Sequence, residues 1–92
     1  MAIESVRHKG IRELFVDGRT RRIDKRQQKK IIELLDILDA AMAAKDLTGV
    51  SDFHPLKGNR RGEYAVHVTG NWCLTFRFMD GQVLDLDYED YH

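Results

Sequence analysis

The chain has 92 residues, of which 42% are hydrophobic, and its 15 Lys and Arg residues balance 15 Asp and Glu residues. This length leaves no room for a second hydrophobic core, so we expect one domain over residues 1–92. No apolar run is long enough to span a bilayer and the first residues do not resemble a signal sequence, which predicts a cytoplasmic protein without a membrane partner. A single cysteine excludes an internal disulfide and a Cys-based zinc site.

The charges are distributed unevenly along the chain. Residues 1–35 hold ten basic and five acidic side chains, whereas residues 80–92 hold five acidic side chains and no Lys or Arg. Exposed charges are screened beyond about 8 Å, so a basic segment can still attract phosphate. Zero net charge is therefore compatible with a nucleic-acid partner, although it argues against tight, unaided binding to bulk RNA or DNA.

The first predicted elements are a short strand and two helices. Ala2–Val6 is predicted as the strand, and a short helix is predicted to end at Gly18. Asp24 and Gln27 have the spacing of a capping box, which predicts the start of a longer helix that runs to about Lys45. The apolar stripes of the two helices are Ile11, Leu14 and Phe15, and Ile31, Leu34, Leu35, Leu38 and Met42.

The second half of the chain predicts three consecutive antiparallel strands joined by turns at Gly70-Asn71 and Asp80-Gly81. Their apolar face consists of Tyr64, Val66, Val68, Trp72, Leu74, Phe76, Phe78, Leu84, Leu86 and Tyr88. The opposite face is expected to be polar and open, with Glu63, His67, Cys73, Thr75, Arg77, Asp85 and Asp87. Two helices on one face of a small, mainly antiparallel sheet give an α+β fold.

Two segments concentrate residues that suit chemistry. The loop HPLKGNRRG contains the imidazole of His54 and three cations, Lys57, Arg60 and Arg61. Glycines permit close backbone approach and the cations bind phosphate, although a solvated turn is the alternative. The terminal YEDYH places Asp90 near the imidazole of His92, a pair that suits proton transfer near neutral pH. A frayed terminus is the alternative for this segment.

Other polar residues give weaker indications. A metal site built from His54, Asp90 and His92 is not supported by their spacing. His8 and His67 are interpreted as structural or surface residues. The basic residues between positions 19 and 30 are compatible both with phosphate binding and with a solvated helix face.

The ordered segments HKG, HPLKG, GNWCLTFRF and YEDYH resemble the HigB-type toxins of the RelE superfamily, over essentially the whole chain. This resemblance implies a microbial-ribonuclease-like α+β fold and a ribosome-dependent mRNA endoribonuclease of a type II toxin–antitoxin system. It implies that translated mRNA is cut in the decoding site by attack of a ribose 2′-hydroxyl, without a metal or cofactor. The implied partners are mRNA, the ribosome and a helix-turn-helix antitoxin similar to HigA, with operator DNA bound only through that antitoxin.

The matching motifs carry candidate residues over from the family. Asp90 and His92 become the candidate proton-transfer pair, and His54 is a competing base. Lys57 is expected to stabilise negative charge on the reacting phosphate. Tyr91 is expected to stack on or orient a base. The remaining candidate RNA contacts are Asn71, Arg77, Arg60 and Arg61.

Two features depart from the family. Cys73 stands where these toxins commonly have an arginine after the NW pair, and Arg77 on the same strand face is the candidate replacement for that cation. The chain also has zero net charge, whereas such toxins tend to be basic. The alternative interpretation is a non-catalytic protein of the RelE fold that binds only an antitoxin or the ribosome.

Overall fold

The computed structural model describes residues 2–90, which form two helices packed on one face of a four-stranded antiparallel sheet. The helices are α1 (Lys9–Asp17) and α2 (Lys25–Ala40), and the strands are β1 (His54–Pro55), β2 (Glu63–Thr69), β3 (Trp72–Met79) and β4 (Gln82–Asp90). Short 3-10 helices occupy Ala44–Leu47 and Gly58–Arg60. The strand order is β1-β2-β3-β4, which confirms the predicted α+β fold. Within residues 2–90, no helix has the length and apolar character needed to cross a membrane.

Helix α1 has a histidine at its N-terminal end and a glycine at its C-terminal end. Nδ1 of His8 accepts hydrogen bonds from the backbone N–H groups of Gly10 and Ile11, at 3.0 and 3.2 Å. Gly18 ends the helix with φ +78°, a left-handed conformation that a side chain would oppose. Both the predicted helix end and the structural role of His8 are confirmed.

Helix α2 begins at the predicted cap and ends before the predicted residue. The carboxylate of Asp24 accepts a hydrogen bond from the backbone N–H of Arg26 at 2.9 Å. The helix ends at Ala40 instead of near Lys45, and the prediction that Met42 is buried is wrong, because this side chain is 81% exposed. The Asp46 carboxylate accepts a hydrogen bond from the N–H of Met42, which favours a new 3-10 turn over further α-helix.

The two predicted hairpin turns are confirmed, and Leu74 and Phe76 of β3 are fully buried against the helices. The strand β4, however, contains a bulge at Asp85, whose φ is +55°. Leu84 pairs with Arg77 and Asp87 pairs with Thr75, so two residues of β4 face one residue of β3 between these pairs.

The bulge changes which side chains of β4 reach the core. Val83 and Leu86 are fully buried, and Tyr88 packs against the same core. Leu84 lies outside this core, so its predicted place in the apolar stripe is wrong. The sequence predicted Leu84, Leu86 and Tyr88 on one face of β4. The extra residue at the bulge instead places Leu84 on the opposite face from Leu86 and Tyr88.

The predicted N-terminal strand forms two isolated parallel bridges beside β4, between Ile3 and Val83 and between Val6 and Leu86. Between these bridges, Oγ of Ser5 accepts a hydrogen bond from the N–H of Asp85 at 2.8 Å. The N-terminal segment therefore accepts hydrogen bonds from the backbone N–H groups of Val83, Asp85 and Leu86 along the outer edge of β4.

The sheet face away from the helices, called the loop face below, is only partly open. Cys73 is 6% exposed and Thr75 is 1% exposed, so the prediction of an open face is wrong at these two positions. Leu56 of the HPLKG loop forms a small buried cluster with Ala65 and Cys73. The loop is anchored there because the N–H of Leu56 donates to the carbonyl of Glu63 at 2.9 Å.

Candidate active site

His54 lies on the edge strand β1, where it pairs with Ala65. Its Nδ1 is 2.7 Å from the carbonyl oxygen of Asp52. A carbonyl oxygen only accepts hydrogen bonds, so this contact requires a proton on Nδ1 and leaves the lone pair of a neutral ring on Nε2. This tautomer suits a general base that takes a proton through Nε2.

Lys57 and Arg61 are exposed on either side of the short helix Gly58–Arg60. Their positions near the edge of the loop face leave both cationic groups in contact with solvent. Such groups can bind phosphate without first being removed from a buried environment. The exposure of Lys57 suits its predicted role at the reacting phosphate, and that of Arg61 suits its predicted role in RNA binding.

Arg60 is placed differently, because its guanidinium is held by two carboxylates. It donates to Glu63 through Nε and Nη2, at 3.2 and 2.8 Å, and to Glu89 through Nη1 and Nη2, at 3.0 and 2.7 Å. The hydroxyl of Thr75 also donates to Glu89. The three charged side chains are between 27% and 29% exposed. This Arg60 network (Arg60, Glu63, Glu89 and Thr75) connects the HPLKG loop to β2, β3 and β4.

The network holds its charged groups in their ionised forms. Hydrogen bonds from Arg60 lower the pKa of Glu63 and of Glu89 below the ordinary value, and partial burial only partly opposes this effect. The same hydrogen bonds raise the pKa of Arg60. The connection between the loop and β4 is therefore fully charged at neutral pH.

Asp90, the predicted proton-transfer residue, directly follows Glu89 and pairs with Trp72 across the β3–β4 ladder. His54 lies on β1 and Asp90 on β4, which are three strand spacings or roughly 14 Å apart in a flat sheet, and Asp90 lies three residues further along β4 than the position level with His54. The structure therefore connects the loop with the strand that bears Asp90 through Arg60, and it does not pair His54 with Asp90 along the ladder. Tyr91 and His92 lie outside the described residues, so their predicted roles stay predictions.

The other two predicted RNA contacts are both exposed. Asn71 lies in the turn between β2 and β3. Arg77 lies on β3 and donates a hydrogen bond to Sδ of Met79 at 3.7 Å. It is four residues from Cys73, roughly 13 Å along an extended strand, and its role as a replacement for the family's arginine stays a prediction.

A family model described as a RelE-like toxin of the type II toxin-antitoxin system HigB matches residues 4–92. The chain belongs to this family. It is 37% identical over 91 residues to the endoribonuclease HigB of Proteus vulgaris, an alignment that covers 98% of this chain and 99% of that protein. The predicted resemblance to HigB-type toxins is confirmed.

Within this HigB-like chain, Cys73 occupies a buried position. Burial raises the pKa of its thiol, and the nearby carboxylates of Asp52, Glu89 and Asp90 add to this effect. A protonated, buried thiol is a poor nucleophile. Cys73 therefore packs beneath Leu56, as a small side chain, and does not supply chemistry.

The sequence alone assigns no role in the site to Glu63 and Glu89, the two carboxylates of the Arg60 network. Glu63 follows Arg60 by three residues, a spacing that offered a local signal for this ion pair. Glu89 is distant in sequence, and only the pairing of Cys73 with Glu89 brings it onto the loop face. No local pattern could have identified that contact.

The remaining polar residues of the HigB-like fold have mainly structural contacts. Nε2 of His67 lies 2.9 Å from the carbonyl oxygen of Gly70, which confirms the structural interpretation of this histidine. In the basic segment, Arg22 bonds to Glu13 at 3.4 Å, and the neighbouring cations line an open groove. Over residues 2–90, no three His, Cys, Asp or Glu side chains are grouped to hold a metal ion.

Proposed function

We propose that this chain is the toxin of a type II toxin–antitoxin system and an endoribonuclease that cuts translated mRNA in the decoding site of the ribosome. Membership of the HigB-like family and the similarity to an endoribonuclease support this proposal. The structural observation that carries it is the Arg60 network, which fixes the cationic loop relative to the strand that ends at Asp90. Both segments that the proposed chemistry needs are thereby attached to one sheet.

The proposed reaction is an internal transfer within the RNA. The ribose 2′-oxygen bonds to the adjacent phosphorus while the bond to the 5′-oxygen breaks, which leaves a 2′,3′-cyclic phosphate and a 5′-hydroxyl. A base takes the 2′ proton and an acid protonates the departing 5′-oxygen. His54 and the Asp90–His92 pair are the proposed proton-transfer groups, and no metal ion takes part.

The cations of the loop have two different roles in this proposal. Lys57 stabilises the negative charge that develops on the phosphate, and Arg61 binds the RNA backbone. Arg60 acts as a positioning residue, because its guanidinium is bonded to Glu63 and Glu89. Asn71 and Tyr91 contact bases, and Arg77 contacts the backbone further along β3.

Zero net charge supports a substrate presented by the ribosome, since a chain with few unopposed cations binds bulk RNA weakly. The further proposed partner is a helix-turn-helix antitoxin similar to HigA, through which the complex binds operator DNA. A site of action on translating ribosomes implies a cytoplasmic protein.

Induced expression in a bacterial host, followed by primer extension on a reporter message, tests this function. The unchanged protein is expected to arrest growth and produce new 5′ ends within translated codons. Lys57→Ala is expected to reduce both effects. Lys45→Ala, which removes an exposed lysine on the 3-10 turn remote from the loop face, serves as its control.

The chemistry of the ends decides between mechanisms. A cyclic phosphate on the upstream fragment supports attack by the 2′-hydroxyl, and a 5′-phosphate on the downstream fragment contradicts it. A chain that ends after Glu89 is expected to be inactive. If soluble, unchanged protein neither arrests growth nor produces new ends, the non-catalytic alternative replaces the proposed function.

A further inference from the structure

A cleft lies at the end of the sheet nearest the Gly70-Asn71 turn, between the strands and the segment that joins the helices. Its volume is about 270 Å³. One wall carries the rings of His8, Trp72 and Tyr88, and the other carries Arg22, Asp24 and Gln27. The function proposed above gives this combination of rings and polar groups no role.

The aromatic wall consists of three rings in contact, with Trp72 tilted by 32° against Tyr88. The ring centroids of Trp72 and Tyr88 are 4.8 Å apart, and the ring of His8 meets Tyr88 edge-on at 5.8 Å. Tyr88 is partly buried, whereas Trp72 is 40% exposed. Trp72 therefore presents aromatic surface to solvent, supported from behind by a second ring.

The position of Trp72 relates this surface to the candidate active site. Trp72 follows Asn71 in sequence and pairs with Asp90 across the ladder. Arg22 lines both the cleft and a neighbouring groove, which contains four cations, Arg19, Arg21, Arg22 and Lys25, and two carboxylates, Glu13 and Asp17. A strand of RNA that reaches Asp90 would thus meet an aromatic ring and a series of cations next to it.

We propose that this cleft binds one unpaired nucleobase of the RNA substrate, stacked on Trp72, with the adjoining phosphate on Arg22. The proposal rests on the function proposed above. An RNA ligand is favoured over an apolar protein side chain because the cleft has a polar wall and opens towards a cationic groove. The Arg22 side chain is about half exposed, and its guanidinium donates to Glu13 through Nε at 3.4 Å. Its planar, multi-donor guanidinium suits a phosphate.

Trp72 is the chain's one tryptophan, so its fluorescence reports directly on this cleft. The probe is a hexaribonucleotide with 2′-O-methyl groups, which lacks the attacking hydroxyl and cannot be cut by the proposed reaction. Titration of the whole protein at low salt, up to millimolar probe, is expected to quench the fluorescence with saturation. An otherwise identical probe with abasic positions is expected to leave the fluorescence unchanged.

Variants are compared by the anisotropy of a labelled copy of the same probe. Trp72→Ala is expected to weaken binding roughly 5- to 100-fold, the range for loss of one stacked base, and Trp72→Phe is expected to retain most of the affinity. Arg22→Gln is expected to weaken binding and reduce its dependence on salt. Met42→Ala is the control, because Met42 is 81% exposed and lies beside Gly81, at the opposite end of the sheet from the cleft.

Each outcome separates this inference from the nuclease function. Cleavage in cells without quenching by the probe would overturn the nucleobase cleft and leave the nuclease intact. Saturable, base-dependent quenching without cleavage would support the cleft and overturn the nuclease. Equal quenching by the abasic probe, or quenching only by a helix-turn-helix antitoxin, would also overturn the nucleobase cleft.

Discussion

Replacement of Arg60 by methionine tests whether the Arg60 network holds the loop to β4. The substitution keeps an apolar stem and removes the hydrogen bonds that Arg60 donates to Glu63 and Glu89, whose carboxylates then repel each other. Exposed ion pairs are worth at most about 1 kcal/mol, and breaking fully buried ones costs about 3–5 kcal/mol. The paired side chains are between 27% and 29% exposed, so we expect Arg60→Met to lower the free energy of unfolding by about 2 kcal/mol at pH 7.

The loss of unfolding free energy in Arg60→Met should become smaller at acid pH. The pKa values of Glu63 and Glu89 are lowered from 4.5 in the folded protein. A carboxyl group whose pKa is lowered by folding stabilises the folded protein at pH values above its pKa in the unfolded chain. This stabilisation is lost as the pH falls through the pKa of the group in the folded protein. The difference between Arg60→Met and the unchanged protein should therefore shrink as the pH falls below 4.5.

Urea unfolding followed by circular dichroism at several pH values measures both effects. Arg61→Met is the matched control for stability, since Arg61 is exposed beside Arg60 and its loss should change the unfolding free energy by less than about 0.5 kcal/mol. A double-mutant cycle with Glu89→Gln isolates the ion pair. Equal stability of Arg60→Met and the unchanged protein at pH 7, or an undiminished difference at acid pH, would refute the reasoning.

Three further predictions concern the helices and the buried thiol. His8→Ala should lower the free energy of unfolding by about 1 kcal/mol because it removes the acceptor at the start of α1, and His8→Asn should restore most of it in the same urea assay. Gly18→Ala should cost about 1–2 kcal/mol because φ is +78°, and an unchanged melting temperature would contradict this. Cys73 should react with iodoacetamide far more slowly in the folded protein than in urea, because the native thiol is buried and its pKa is raised.

Local signals in the sequence predicted most of the fold. The capping residue Asp24, the stop at Gly18 and the turns at Gly70 and Asp80 act through their own neighbours, so they can be interpreted without tertiary information. The alternation of β2 and β3 is regular through the core, and it correctly predicted Leu74 and Phe76 as buried. These are the positions where local and global preferences agree.

The errors arose where a contact outside the periodic pattern decides the structure. Helix α2 ends early because Asp46, beyond the helix, binds the N–H of Met42. The loop face is partly covered because Leu56 folds over Cys73, a contact that no periodicity encodes. In the candidate site, the motifs identified the loop and Asp90, but the pairing of Arg60 with Glu89 depends on strand register and could not be predicted from composition.

The bulge at Asp85 also determines which side chains lie on each face of the sheet at the end of β4. Side chains alternate along a regular strand, so whether Asp85 bulges out of the ladder or is paired within it decides which face Glu89 occupies. With Asp85 present, Glu89 pairs with Cys73 and meets Arg60. If Asp85 were instead paired in a regular ladder, Glu89 would pair with Trp72 and its carboxylate would lie on the helix side. That change of register would exchange the places of two adjacent acids, whereas deletion of Asp85 would remove the bulge and keep Glu89 opposite Cys73.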